Sequence, residues 1–508
     1  MVSHASVPTL VALLASAVAT VGFAVYGVRL ARTTSDFLVA SRSVGPRFNA
    51  AAISGEYLSA ASFLGVAGLI AKYGADALWY PVGFTAGYLG LLMFVAAPLR
   101  RSGAYTVPDF TEFRLGSLRL RRLASLVVVL VCAVYLIPQF QGAGLTLRIL
   151  LGVPGWVGAV AVGSIVIGTV VGGGMRSITF VQAFQYWLKL TAVALPALVL
   201  TAHFFGDRPA TADLGPWLRP GGGLGGPHPL YAVYSLIIAT FLGTMGLPHV
   251  LVRFYTNPDG RAARTTAATV IGLVGAFYLF PTLLGAFARI YAPQTLGADA
   301  SDAAALLLPE SVLGGLPGQL LGALVAAGAL AAFLSASSGL LVSIAGVVST
   351  DLLRGRIRDF RVAALIAGAV PLALSLMVVS LDLSRTVGLA FSVAASTLCP
   401  LLTLGIWWRG LTATGAAAGL IAGGLMSGAA TAVSVAGGVP DRAAGGWPAA
   451  VLSYPAAVSV PLAFATMVAV SGFTRGQSAR EVARAFARLH APERLGMGAD
   501  RERGLRSA

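Results

Sequence analysis

Carboxylates are scarce in this chain, with 19 Asp and Glu among 508 residues. One of them, Glu56, stands in the run AAISGEYLSAASFLG (51–65), where nearly every neighbour is small or apolar. An acid in such a setting can carry a proton, neighbour a cation, or brace a helix by hydrogen bonding. Ser59 and Ser62 follow it, and each can contact a polar solute or serve as a small residue for close helix packing. A second unusual run is FLGTMGLPHVLVRF (241–254), in which Gly243, Gly246 and Pro248 interrupt apolar sequence. Proline removes a backbone donor and glycine is a poor helix-interior residue, so a break is expected there. A half-helix N-terminus at such a break, with Thr244 and the amides near Gly246, has the chemistry to bind a carboxylate. Tyr135 and Gln139 share one helical face and either line a solute cavity or are satisfied by neighbouring helices; Gln141 flanks them. His249 reads as a structural hydrogen-bonding residue beside Pro248. Lys189 and Arg253 read as side chains that snorkel to an interface.

The elements that must position these residues are membrane spans. The chain is 57% hydrophobic and 11% charged, with mean hydropathy +0.82, whereas soluble domains carry about 25% charged residues. The fold class is therefore an all-α polytopic membrane protein. Spans of about 20 apolar residues fall at 7–29, 48–72, 77–99, 123–147, 155–174, 181–205, 230–252, 267–291, 317–350, 361–381, 387–408, 411–437 and 450–472. No basic region precedes the first, while Arg29 and Arg32 follow it, so it reads as a retained helix with its N-terminus outside. Thirteen crossings then put the C-terminus in the cytoplasm. Of the 35 Lys and Arg, 27 fall in segments this topology places inside and seven outside, a positive-inside bias. That bias accounts for the net charge of +16 without a nucleic-acid partner. The tail (478–508) begins as a basic amphipathic helix and is expected to lie on anionic lipid.

Cys132 and Cys399 both lie in spans and give neither a disulfide framework nor metal-ligand spacing. No nucleotide-binding or hydrolytic motif occurs, so neither an enzyme nor an ATP-driven pump is indicated, and no cofactor is expected. The two interrupted spans, the second and the seventh, are five apart. Matching breaks in two halves point to a transporter built from inverted repeats, spans 2–6 and 7–11, with a substrate and a cation bound at the breaks.

Several stretches carry a family resemblance: DFLVASRSVGP (36–46), GEYLSAASFLG (55–65), YLIPQFQGAG (135–144), GGGMRSITFVQ (172–182), GLPHVLVRFYT (246–256) and AAFLSASSGLLVSIAGVVSTDLL (331–353). In order and over most of the chain, they resemble the sodium:solute symporter family, and within it the cation/acetate and short-monocarboxylate branch. The resemblance implies a LeuT-like ten-helix core of two five-helix inverted repeats, one helix before it and two after. The corresponding division is 1–47, a core at 48–408 (repeats about 48–205 and 230–408), peripheral helices at 409–474 and a cytoplasmic tail at 475–508. It implies import of acetate, propionate, pyruvate or a similar anion across a bacterial plasma membrane, with Na+ or H+ as the co-transported ion. A symporter for another organic solute is the alternative; a transporter-like sensor is a weaker one. The family's main sodium site maps onto the carbonyls of Gly55, Leu58 and Ala332 and the hydroxyl of Ser335. The family's second hydroxyl position is Ala336 here. An acidic residue that holds a second sodium in some members maps onto Thr179, so that second site is not expected. If the driving ion is H+, Glu56 is the candidate carrier.

Overall fold

The computed structural model describes residues 6–28, 40–207, 215–219, 221, 224, 226–293, 301–353, 357–377, 383–437, 446–474, 476–492 and 495. Most of the 29–47 loop, the first residues of the 36–46 motif and most of the tail beyond 492 lie outside them. Among the described residues the secondary structure is entirely helical. Eleven helical runs among the described residues are long and apolar enough to cross a membrane, against thirteen spans expected from sequence. Two of the runs account for the difference. Gly155–Asp207 has 53 residues; as one straight helix it would reach about 80 Å, far more than a bilayer core of about 30 Å. Gly174, with φ 57° and ψ −161°, divides it between the expected fifth and sixth spans. The run Ala61–Arg101 likewise holds the end of the second span and the whole third, separated by a 3-10 segment, Gly74–Leu78.

The helices that concern the site are, in order, α1 (Val7–Val28), α2 (Pro46–Tyr57), α3 (Val66–Tyr73), α4 (Trp79–Gly90), α5 (Val107–Leu115), α6 (Leu118–Leu151), α7 (Gly155–Asp207), α8 (Pro229–Gly246), α9 (Pro248–Phe254), α10 (Gly260–Tyr291), α11 (Gly315–Val347), α12 (Ile357–Met377), α13 (Leu383–Ser396), α14 (Leu398–Trp407), α15 (Ala413–Val435), α16 (Ala456–Phe473) and α17 (Ala479–His490). The second and seventh spans are each interrupted, as their sequences require: α2 stops at Tyr57, and α8 gives way to α9 at Leu247. Helix α7 packs against α11, α2, α1 and α6, which makes it the hub beside the first break. Small residues permit this closeness. A Cβ added at Gly55 would collide with the backbone carbonyl of Gln182 on α7.

Helix α1 is tied to the bundle from outside it, with Ser177 Oγ donating to the Ala24 carbonyl at 2.8 Å and Gln185 Nε2 to Thr20 Oγ1 at 3.1 Å. The tail helix α17 packs its apolar face on the protein. Its apolar residues Ala485, Phe486 and Leu489 are buried against the protein, and Phe486 lies under the guanidinium groups of Arg114 (4.9 Å) and Arg409 (5.4 Å). A strongly amphipathic helix needs an apolar surface to cover, and here the basic end of the bundle supplies it.

Candidate functional site

The first break begins where Leu58 leaves helical geometry (φ −73°, ψ 82°). The amide of Ser59, which in a continuous helix would bond the Gly55 carbonyl, bonds Tyr57 O instead at 2.8 Å. The carbonyls of Gly55 and Leu58 are turned toward α7, and both accept from the same donor, the Lys189 ammonium, the second at 2.7 Å. Lys189 also donates to Ser335 Oγ at 2.8 Å, and Ser335 in turn donates to the Ala332 carbonyl at 3.2 Å. The structure therefore gathers Gly55, Leu58, Ala332 and Ser335, the four residues assigned to a cation by resemblance, around one point. Lys189 is fully buried at that point. The expectation that it snorkels is corrected: its short reach from α7 ends on freed carbonyls inside the bundle.

Arg253 is corrected in the same way. It is 1% exposed, as is Glu56. Its Nε donates to Glu56 Oε2 at 2.7 Å, its Nη1 to Thr179 Oγ1 at 2.7 Å, and its Nη2 to Gln182 Oε1. Gln182 passes the connection on, donating to the backbone carbonyl of Ser335 at 3.0 Å. Glu56 thus braces the first break against α9 through Arg253, and Gly339 leaves the space its carboxylate fills. Thr179, the position mapped to a second cation, receives a guanidinium N–H.

The second break is the extended Leu247 (φ −69°, ψ 115°) before Pro248. Gly246 is held against α13 so closely that an added Cβ would lie 2.5 Å from the Ala394 carbonyl. The two breaks touch: Tyr57 Oη is 2.7 Å from Thr244 Oγ1. The remaining residues assigned to substrate are also buried around this junction. Tyr135 Oη donates to Ser59 Oγ at 3.2 Å, Ser62 Oγ is 2.8 Å from Tyr278 Oη, and Gln139 Oε1 accepts from the Ala60 amide at 3.2 Å. The walls are aromatic: Tyr57 meets Tyr88 with ring centres 4.8 Å apart, Phe84 meets Phe391 at 4.8 Å, and Tyr135 meets His249 at 5.4 Å. Three buried polar atoms here have no hydrogen-bond partner among the described residues: Gln139 Nε2, Tyr88 Oη and His249 Nδ1. Buried polar groups are nearly always paired, and these three have capacity for a further partner. Gln141 lies apart from the junction and donates to the Ser375 carbonyl at 3.3 Å.

Tyr57, Tyr88, Tyr278 and Phe391 went unrecognised in the sequence, where an aromatic in an apolar span carries no sign of what it faces. A small cleft beside the second break is lined by Thr106, Met175, Pro248, Val252, Ser343 and Phe360. Beside it Asp351 accepts from Thr106 Oγ1 and from Arg121 Nε, both at 3.0 Å.

The four converging oxygens do not fit a bound Na+ as they stand. Lys189 Nζ is within hydrogen-bond distance of three of them, and a second cation at that point would meet the ammonium's charge.

Two interrupted helices in contact inside an all-helical bundle are the arrangement of secondary transporters of the inverted-repeat class. The match to the sodium:solute symporter family model runs over residues 37–423, and the chain belongs to that family. It is 34% identical to the symporter YwcA of Bacillus subtilis over 86% of this chain and 89% of that one. It is 33% identical to a monocarboxylic acid transporter of Corynebacterium glutamicum over 86% of each. In fold it is similar to a Na+-coupled sialic acid symporter (TM-score 0.71, 16% identity, 93% of this chain and 99% of that one). It is also similar to Mhp1, a nucleobase-cation-symport-1 family transporter (TM-score 0.54, 17% identity, 89% and 98%). The fold is thus the LeuT-like one, and the transported partners of such a protein are a small solute and a cation.

Proposed function

We propose that this chain is a secondary active symporter that brings acetate, or a similar short monocarboxylate such as propionate or pyruvate, into a bacterial cell on an inward cation gradient. The observation that carries this reading is the pair of unpaired buried donors, Gln139 Nε2 and Tyr88 Oη, at aromatic-walled helix breaks. A short carboxylate offers acceptor oxygens to such donors and a small apolar tail to Phe84 and Phe391. The name of the Corynebacterium glutamicum relative supports the same substrate class.

In this reading Gln139 and Tyr88 contact the carboxylate. Tyr135 and Tyr57 are oriented toward it by Ser59 and Thr244, Ser62 holds Tyr278, and Gly246 admits the close approach of the second break. The transport core is 48–408 in two repeats, and the basic loops and tail face the cytoplasm. Alternating access is a rocking of helix sets about the junction, and binding of solute and of the coupling ion raise each other's affinity by one factor.

Uptake of radiolabelled acetate, propionate and pyruvate by proteoliposomes under imposed gradients tests this, with protein-free vesicles as the control for passive entry. Accumulation of at least one is expected, and Gln139→Leu should raise its KM. If no short carboxylate is accumulated under any gradient, the substrate reading is wrong.

A further inference from the structure

The cation position that the family sequence pattern predicts is filled from within. We propose that the Lys189 ammonium is a tethered cation standing in place of sodium, so that this chain binds no Na+ there and moves its substrate without it. The inference rests on the reading of the chain as a cation-coupled symporter and specifies which ion that site does not take.

Three features of the seat carry it. An ammonium has three donors and needs three acceptors; Lys189 finds the Gly55 and Leu58 carbonyls and the Ser335 hydroxyl. Sodium must instead gather a shell of several oxygens, and here Ala336 occupies the place of the second hydroxyl. The position mapped to a second sodium, Thr179, likewise receives a fixed cation, the Arg253 guanidinium, at 2.7 Å. Both places at which a sodium ion would be sought are therefore served by side chains of this protein.

One carboxylate stands near the ammonium. From α2, Glu56 lies within electrostatic reach of Lys189, and Arg253 of α9 is bound to that carboxylate at 2.7 Å. Helix α11 carries no ionisable side chain along its whole length, and α1 carries none except Tyr26. Helix α6 brings Cys132 and Tyr135 near Glu56, and α10 brings Tyr278, which is bonded to Ser62. The neighbouring Tyr186 of α7 donates away from the seat, to the Leu273 carbonyl at 3.1 Å. The ammonium also does mechanical work that a sodium ion does elsewhere, since it joins the first break on α2 to α11 across α7.

The test is direct binding of ²²Na+ to the purified full-length protein, together with its thermal unfolding in NaCl against equal choline chloride. Wild type is expected to bind no sodium saturably and to show no sodium-specific rise in unfolding temperature. Lys189→Ala combined with Ala336→Ser empties the seat and restores the second hydroxyl; this variant is expected to gain saturable binding of one ion and a sodium-specific stabilisation. Saturable sodium binding by wild type overturns the proposal, and so does a folded double variant that binds none. Should that variant not fold, Lys189→Ser with Ala336→Ser, which also vacates the seat, gives the same reading. In proteoliposomes, protein-dependent pyruvate uptake driven by an inside-alkaline pH gradient should proceed at the same rate with choline in place of Na+, and loss of uptake without Na+ overturns the proposal. Absence of all carboxylate uptake would instead refute the proposed substrate, leaving the binding result to stand by itself.

Discussion

Lys189 and Arg253 are two buried cations linked through one glutamine, yet they are held in opposite ways. Arg253 is matched by a carboxylate: its planar fork takes Glu56, Thr179 and Gln182 at once. Among the described residues Lys189 has only neutral oxygens at hydrogen-bond distance, two carbonyls and a hydroxyl. A guanidinium paired with a carboxylate is a fixed joint, since it stays charged and its geometry is specified in two directions. An ammonium among freed carbonyls occupies a seat shaped for a monovalent ion. The contrast separates the part of the core that braces the first break from the part that replaces a coupling ion.

The sharpest way to break that contrast is to remove the paired cation. Arg253→Ala leaves Glu56 buried without its partner and should cost about 3–5 kcal/mol of stability. The expected signs are a steep fall in unfolding temperature and poor recovery from detergent. Replacing both members, Glu56→Leu with Arg253→Met, should recover most of the loss, because an apolar pair leaves no stranded charge. A single variant as stable as wild type would mean that the pair is not closed in the protein.

Removing the unpaired cation should cost less. Lys189→Met strands three acceptors but no opposite charge bound to it, for a loss of about 1–3 kcal/mol. Uptake should fall far more than stability does, which Arg253→Lys should not reproduce. Equal damage to folding and uptake would place Lys189 with Arg253 as a mere brace.

The breaks themselves were legible in the sequence, because glycine and proline in apolar runs have few other uses. The grouping of Gly55, Leu58, Ala332 and Ser335 came from the family resemblance rather than from the residues themselves: Leu58 and Ala332 are ordinary apolar residues whose carbonyls carry no mark in the sequence. The occupant was not legible. A lone lysine in a span looks the same whether it snorkels or is buried, because linear position does not give depth relative to a break in another helix. Ala336 was the local departure from the family pattern, and it did not point to Lys189. Arg253 was hidden for the same reason, and its partner Glu56 lies 197 residues away in the sequence. The tail helix taught a related lesson: amphipathicity announced that one face would be covered, not that Arg114 and Arg409 would cover it.

A third experiment asks whether the two cations communicate. Gln182 accepts from Arg253 and donates to the Ser335 backbone beside Lys189. Gln182→Leu should destabilise by about 1–2 kcal/mol, and its double-mutant cycle with Lys189→Met should show coupling of about 0.5–1.5 kcal/mol. Strict additivity would make the two cations independent despite their shared neighbour.

The smallest effect is expected at Ser335, and it is the most discriminating about the seat. Two of the three oxygens around the ammonium are main-chain carbonyls, which no substitution deletes; Ser335 Oγ is the acceptor that mutation can remove. Ser335→Ala should cost about 0.5–1.5 kcal/mol, the net worth of one hydrogen bond, and lower uptake modestly. Ser335→Thr keeps the hydroxyl and should restore both. Because the ammonium rather than a free ion is the guest, neither variant should make uptake depend on sodium. A seat built for Na+ would behave otherwise: losing a ligand would weaken sodium activation while leaving Lys189 irrelevant. A Ser335→Ala protein whose uptake shifts with sodium concentration would therefore put the ion, not the lysine, at the join between α2 and α11.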